Sequence, residues 1–369
     1  MNFIGIEDRF KKIFISILSV FVRSKPIHDI ASLEAKRILV VRQHDQLGDM
    51  ICISPLLQTL KERFPKPHLT LITSRVNYDI MLHHPYVDEV ILYDKLNYGK
   101  SPLLFLKFLR SLRKERYDMA IVPVTVSMSV TSDLIALCSG ATVRIGAESL
   151  GGIRNPAISC LTHPVPLDWK NDPRRHQTLR NLDILKPLEI QQSNLQCLIG
   201  LTREEQHIAS AFLKPVRQKY KFLVGIHPGA GKPPNRWSAK RFADVANRLS
   251  NEYQSGIVIT AGPMDNGPLQ ELLNDLHCPY ELVHNQPIRS VAAIIDQLDL
   301  YITNDTGVMH IAGAVRTNLL ALFGPTDPLQ WAPTGPKNRY ISAPDGNMNS
   351  IRVEEVNAVI DLILNEIKK

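Results

Sequence analysis

A chain of 369 residues is longer than one hydrophobic core usually serves, so two domains are expected. A hydrophobic share of 44% with 21% charged residues makes a soluble globular protein the expectation. Five scattered cysteines form no C-x-x-C pair, which argues against a disulfide framework or a zinc site and fits a reducing cytoplasm. No stretch reaches the ~20 apolar residues of a membrane span. The net charge of +7 suits nucleic acid, anionic lipid or phosphate-rich ligands without choosing among them.

Residues 1–35 stand apart as an N-terminal segment. Ile13 to Val22 is apolar except for Ser16 and Ser19. Arg9, Lys12, Ser16, Ser19 and Arg23 follow helical spacing and form one polar stripe. Such a helix can lie in a bilayer interface with its cations near lipid phosphates. It can equally pack on the protein's own surface. A cleaved signal peptide lacks a clear small-residue cleavage site here.

From Arg37 onward strands and helices alternate. Strands are predicted at Arg37–Arg42, His68–Thr73, Val87–Tyr93, Asp118–Val124 and Val143–Gly146. Helices are predicted at Asp49–Phe64, Val76–His83, Pro102–Arg116 and Met128–Ser139. A less regular stretch, roughly 147–201, is rich in Pro, Asn and Arg. The alternation then resumes with strands Phe222–His227, Gly256–Ala261, Tyr280–Val283, Leu300–Thr303 and Leu319–Phe323. Between these strands lie helices Ala239–Ser250, Gly267–Leu276, Ile288–Gln297 and Gly307–Val315. This rhythm predicts an α/β chain of two Rossmann-like, doubly wound domains, 36–200 and 201–345, facing a central cleft. A last helix, within 346–369, can pack on either half. Ligands of such sheets bind beyond the carboxyl ends of the strands.

Three places at those ends carry chemistry. After the first strand come Gly48 and Asp49. Asp49 can act as general base on a hydroxyl, or merely cap a helix. After the strand at Leu300 come Asp305, Thr306, Gly307 and His310. Free N–H groups at that helix start, with the Thr306 hydroxyl, make a ready anion site, with His310 one turn in as a further donor. The alternative is an ordinary turn capped by Asp305 or Thr306. The third place combines the loop His227-Pro228-Gly229-Ala230-Gly231, followed by Lys232 and Arg236, with the loop Phe323 to Pro328. Glycine amides there lie open to an anion. Several such loops on one edge suggest a nucleotide diphosphate. Absences also inform: the chain has no Asp-x-Asp metal motif, no G-x-x-x-x-G-K-[ST] loop, no G-x-G-x-x-G fingerprint and no G-x-S-x-G elbow.

The run Ile38 to Arg42, Leu47-Gly48-Asp49, Pro55-Leu56-Leu57 with Leu60-Lys61, and Phe64-Pro65 resembles the opening motif of glycosyltransferase family 9, the bacterial heptosyltransferases. His227-Pro228-Gly229-Ala230 with Arg236-Trp237 is similar to the family's second motif. Asp305-Thr306-Gly307 with Met309-His310-Ile311-Ala312, and then Leu322 to Pro328, is similar to the third. His176, Arg180-Asn181-Leu182-Asp183 and Leu185 resemble the segment joining the two domains. The matches run in order from about Lys36 to Pro333 and are specific as a set.

The resemblance implies a GT-B fold and an inverting, metal-independent transfer with no cofactor. The donor implied is a nucleotide sugar, typically ADP-heptose, and the acceptor a lipid-linked sugar of the lipopolysaccharide core. It makes Asp49 the general base. Thr306, Gly307, His310, Asp305, Gly229, Arg236, Lys232 and Asp265 fall to the donor, and Gly48, His176 and Arg180 to the acceptor. The Arg9–Arg23 stripe beside its apolar face predicts peripheral attachment at the inner face of the cytoplasmic membrane, and the lack of an interleaved aromatic and basic pattern argues against a nucleic-acid partner. Two positions depart from the family pattern. Asn235 stands where Lys is usual, with Lys232 the nearest replacement. Asp265 and Asn266 are the candidates for the carboxylate that meets the donor ribose. A GT-B enzyme with another nucleotide sugar and a non-catalytic GT-B-like binding protein are the rival readings.

Overall fold

The computed structural model describes residues 30, 33–43, 46–190 and 194–368. The expected amphipathic segment at 1–26, and His44 and Asp45 of the first motif, lie outside the described residues. The chain divides into two compact units that meet in sequence at Leu195 and Gln196. Among the described residues no helix is long and apolar enough to cross a membrane.

The first unit is built on a seven-stranded sheet. Its strands are β1 (Arg37–Arg42), β2 (His68–Thr73), β3 (Glu89–Leu92), β4 (Met119–Ile121), β5 (Val143–Leu150), β6 (Ile153–Arg154) and β7 (His163–Leu167). The order is β3-β2-β1-β4-β5, with β6 and β7 both paired to β5. All pairs are parallel except β5 with β6. β1 and β2 fall where their apolar runs predict, because strands covered on both faces read as continuous hydrophobic segments.

Two of the differences from expectation in this unit have a plain physical cause. The helix predicted over Asp49–Phe64 is two helices, Leu47–Ile51 and Ser54–Arg63. Pro55 is the physical reason: it has no N–H to continue the ladder, and its ring fits only in a helix's first turn. The irregular stretch hides β7. Pro164 and Pro166 obscure it in sequence, yet both point to solvent while Val165 and Leu167 face the core. Proline is tolerated in a strand at a sheet edge.

The second unit has a six-stranded, all-parallel sheet: β8 (Phe222–His227), β9 (Ser255–Ala261), β10 (Tyr280–His284), β11 (Leu300–Asn304), β12 (Leu319–Phe323) and β13 (Asn338–Ser342). Its order is β10-β9-β8-β11-β12-β13, with the reversal between β8 and β11. A crevice at such a reversal is where nucleotides bind in doubly wound sheets. The last helix, Val353–Ile367, belongs to this unit. Val356, Ile360, Ile363 and Leu364 join the core around Trp237, Phe242 and Leu249.

One buried carboxyl in the first unit bears on stability. Asp133, in the helix Val130–Cys138, receives Nδ2 of Asn155 at 3.0 Å. Burial pushes its pKa from 3.8 to about 7, and the Asn155 bond only partly opposes the shift. An acid whose folded pKa is raised binds its proton more tightly when folded. Stability is therefore lost as pH rises from about 4 through about 7, the window between the two values. Asp133→Asn keeps an acceptor for Asn155 and does not titrate. In urea titrations across pH, the variant should gain midpoint over the parent as pH rises through that window. A constant offset between the two would disprove this account.

Candidate functional site

In the first unit the site begins where β1 ends. Arg42 is fully buried, with its guanidinium 4.0 Å from Oδ1 of Asp49. It also donates to Oδ1 of Asn181 and, at 3.4 Å, to Oγ1 of Thr125. Asn181 in turn donates Nδ2 to the Gln177 carbonyl at 2.9 Å and the Cys52 carbonyl at 3.3 Å. Asp49 lies in the first turn of its helix, whose N-cap is Gln46, so the helix-cap alternative is corrected. Its side chain keeps 13% exposure, enough for a ligand hydroxyl to reach. Gly48 is buried beside it within the helix.

The same unit holds an open cavity of 580 Å³. Val126, Met128, Leu150 and Ile153 give it apolar walls, and Lys170 and Arg180, against the one carboxylate of Asp168, give it charge. Trp169 forms another part of the lining, and the Arg180 guanidinium stacks on its ring at 4.8 Å. Asp183 fixes this wall. It accepts from Nε1 of Trp169 at 2.8 Å and takes Arg175 in a two-point pair at 2.8 and 2.9 Å. Arg180 thus borders a ligand-sized space, whereas Gly48 and His176 do not line it. His176 is the N-cap of the helix Gln177–Leu182, accepting the Thr178 N–H on Nδ1 at 3.2 Å.

In the second unit β8, β11 and β12 are neighbours and parallel, so the loops that follow them share one edge. Side-chain amides join these loops. Asn304 donates to the carbonyls of Pro228 at 2.9 Å and Gly229 at 3.1 Å, and accepts the Trp237 N–H at 2.9 Å. Asn235 donates to Oδ2 of Asp305 at 3.0 Å and to Oγ1 of Thr326 at 3.2 Å. Arg236 reaches the Ala230 carbonyl through Nε at 2.9 Å. Burial pushes the Asp305 carboxyl upward, while Thr326, the Lys232 charge and Asn235 oppose the shift.

Thr306 is the N-cap of the helix Gly307–Ala314, with extended backbone and no side-chain capping bond. Thr306 thus takes the N-cap position that the alternative gave it, but neither its side chain nor the Asp305 carboxylate, which faces Asn235, makes a capping bond. His310 is buried, with its ring edge-on to Trp331 at 6.4 Å.

Asp265 is turned into its own loop. It accepts the Gly262 N–H at 2.7 Å and lies 3.6 Å from Nε2 of His227. His227 points Nδ1 at the Thr260 carbonyl, 2.9 Å away, and Thr260 meets the Tyr301 hydroxyl at 2.6 Å. Burial holds the His227 pKa low, against the pull of Asp265. Asn266, the other ribose candidate, faces His284 at 3.0 Å.

Arg42 and Asn181 lie within the motifs above, and Asn304 directly precedes one, without a role assigned to any of them. For Arg42 and Asn304 a polar side chain closing an apolar strand is the available signal, whereas Asn181 lies in a helix. Thr125 and Trp169 carried none. Among the described residues there is no cluster of three or more metal-ligating side chains.

A family model described as Glycosyltransferase family 9 (heptosyltransferase) matches residues 105–359. Lipopolysaccharide heptosyltransferase 3 of Escherichia coli K12 is 27% identical over 305 residues, covering 78% of this chain and 82% of the relative. A family 9 glycosyl transferase from Veillonella parvula superposes with a TM-score of 0.80 at 23% identity, over 91% of this chain and 99% of that one. The E. coli ADP-heptose lps heptosyltransferase II superposes with a TM-score of 0.76 at 22% identity, over 90% and 100%.

The glycines of the loop after β8 separate two physical roles. A Cβ on Gly229 would stand 2.0 Å from Oδ1 of Asp265, whereas one on Gly231 meets nothing within 4 Å. Gly229→Ala should cost about 1–3 kcal/mol in unfolding free energy, the scale of overpacking. Gly231→Ala should stay within about 0.5 kcal/mol, as exposed substitutions do. Equal effects in denaturant titrations would show that the Gly229–Asp265 contact does not constrain the loop.

Proposed function

The chain belongs to glycosyltransferase family 9, and we propose that it transfers heptose from ADP-heptose to a lipid-linked acceptor of the lipopolysaccharide-core type, with inversion and without a metal ion. It is a glycosyltransferase, and its fold is GT-B. The donor sugar follows the names of its relatives, a lipopolysaccharide heptosyltransferase and an ADP-heptose enzyme.

The observation that carries the mechanism is Asp49, partly exposed and set 4.0 Å from the buried Arg42 guanidinium. Arg42 orients the carboxylate and leaves it reachable. Asp49 then takes the proton of the acceptor hydroxyl as that oxygen attacks the anomeric carbon. The C–O bond to the diphosphate breaks on the opposite face, and ADP leaves with the electron pair.

Residues 36–200 serve the acceptor in this reading, and the cavity beside Trp169 and Arg180 suits an anionic sugar. Gly48 and His176 then act by shaping the backbone around Asp49 and Arg180. Residues 201–345 serve the donor. Backbone N–H groups at Thr306 and Gly307 meet the diphosphate, an arrangement suited to anions. Lys232 and Arg236 add charge, and fixed donors of this kind can stand in for a metal. His310 and Asp305 support that helix start, and Gly229 and Asp265 shape the neighbouring loop. The enzyme works at the inner face of the cytoplasmic membrane, held peripherally by residues 1–26.

A donor screen tests the reading. ADP-heptose should release nucleotide in the presence of a core acceptor, UDP- and GDP-sugars should not, and EDTA should leave the rate unchanged. Loss of activity in EDTA that added Mg²⁺ restores would refute metal independence. Release from a UDP-sugar alone would refute the donor.

Asp49→Asn probes the base directly. Turnover should fall by roughly 10² or more, the scale of general base catalysis, with ADP affinity retained in calorimetry. Near-normal turnover would remove Asp49 from the mechanism.

A further inference from the structure

Between Lys95 and Lys114 the chain has no acidic residue, and it carries Lys95, Lys100, Lys107, Arg110, Arg113 and Lys114. All of these positions but Ser101 fall in two helices, Lys95–Lys100 and Pro102–Lys114. In the second, Phe108 and Leu112 face the core. Residues three and four apart share a helix face. Leu103, Leu106, Lys107, Arg110, Arg113 and Lys114 therefore line the opposite, outward face.

The leucines on this surface are unusually bare. Leu103 is 60% exposed, Leu106 48%, and Leu96, in the preceding helix, 73%. A single exposed leucine is ordinary, but several together beside a one-sign charge field mark an interaction surface. The support beneath is firm. Tyr98 stacks on Phe108 at 5.0 Å and meets Tyr93 at 5.2 Å, so the aromatic rings are occupied inside the hairpin.

Position adds to this. β3 ends at Leu92, and the two helices then carry the chain back to the start of β4 at Met119. Since the strands are parallel, Leu96 and Leu103 lie toward the carboxyl edge of the first sheet, where Arg42 and Thr125 also sit.

We propose that this face docks on a bilayer of anionic phospholipid, its leucines entering the interface and its cations meeting the headgroup phosphates. Charge complementarity chooses the anionic surface, and the bare leucines choose a bilayer over a soluble polyanion. The docking face rests on neither the donor chemistry nor the lipid contact proposed for residues 1–26.

The test is co-sedimentation of the full-length protein with vesicles of phosphatidylcholine containing phosphatidylglycerol, and with phosphatidylcholine alone. The parent should bind the anionic vesicles and lose binding as salt rises. The double variant Lys107→Glu/Arg110→Glu should partition roughly tenfold less or weaker still, from the contribution of each cation near an anionic surface. Leu103→Ser/Leu106→Ser should also lose partitioning, while Lys107→Arg/Arg110→Lys should keep it. ADP affinity and melting temperature should not move in any variant, which separates failure here from failure of the transferase reading. Parental partitioning in the charge-reversal variant would overturn the proposal. So would loss on charge reversal with none in the serine pair, the signature of a patch for soluble polyanions.

Discussion

The Asn304 side chain holds the carboxyl edge of the second sheet together. At the end of β11, fully buried, it donates to the carbonyls of Pro228 and Gly229 and accepts the Trp237 N–H. These groups belong to the loop after β8 and the entry to the next helix. Unpaired in the interior, each would cost roughly 1–3 kcal/mol. One planar amide satisfies two carbonyls and an N–H, and in doing so sets the distance between neighbouring loops. The helix start at Thr306 and Gly307 follows directly on this fixed residue in the chain.

The first unit solves a harder version of this problem with Arg42. A guanidinium cannot shed its proton, and taking it out of water costs several kcal/mol unless partners offset the loss. Asp49, Asn181 and Thr125 are those partners. The cost of stranding the charge ties Asp49 to one place. It also ties the Gln177–Leu182 helix to the end of β1, from far along the chain. Trp169 and Arg180 inherit their positions from that attachment through Arg175 and Asp183.

Much of this was legible in the sequence, for identifiable reasons. Central parallel strands such as β1, β8 and β12 announce themselves as apolar runs because helices cover both faces. Their order then puts the Gly229, Thr306 and Gly324 loops on one edge without further information. β7 was illegible because Pro164 and Pro166 read as loop, and only its edge position makes them acceptable. The break after Ile51 was written in Pro55, but the apolar periodicity on either side masked it. Asp265 illustrates a deeper limit. A carboxylate three residues past the glycine that follows a strand looks ready for a ribose, yet its nearest partners are its own loop's Gly262 N–H and His227. Side-chain direction at a turn depends on what occupies the space on each side, and Gly229 leaves that space empty for Asp265.

Asn235 shows how one substitution rearranges charge without loosening the edge. A lysine here would face the Asp305 carboxylate and form a largely desolvated ion pair, whose attraction must offset the loss of water around both groups. The amide makes the same connection and adds Thr326 without carrying charge. Burial raises the Asp305 pKa there, opposed by the Thr326 bond, the Lys232 charge and the Asn235 bond. The geometry is kept and the fixed positive charge is gone. Arg236 has its Nε committed to the Ala230 carbonyl, so under the proposed donor assignment its remaining N–H groups, the exposed Lys232 and the backbone amides at Thr306 and Gly307 are left to meet the diphosphate. Grip by oriented amides depends on where the phosphate oxygens lie more than on net charge. A site built this way would select the proposed diphosphate by shape, and the share of its affinity carried by the exposed Lys232 should fall with salt more steeply than that of a buried lysine.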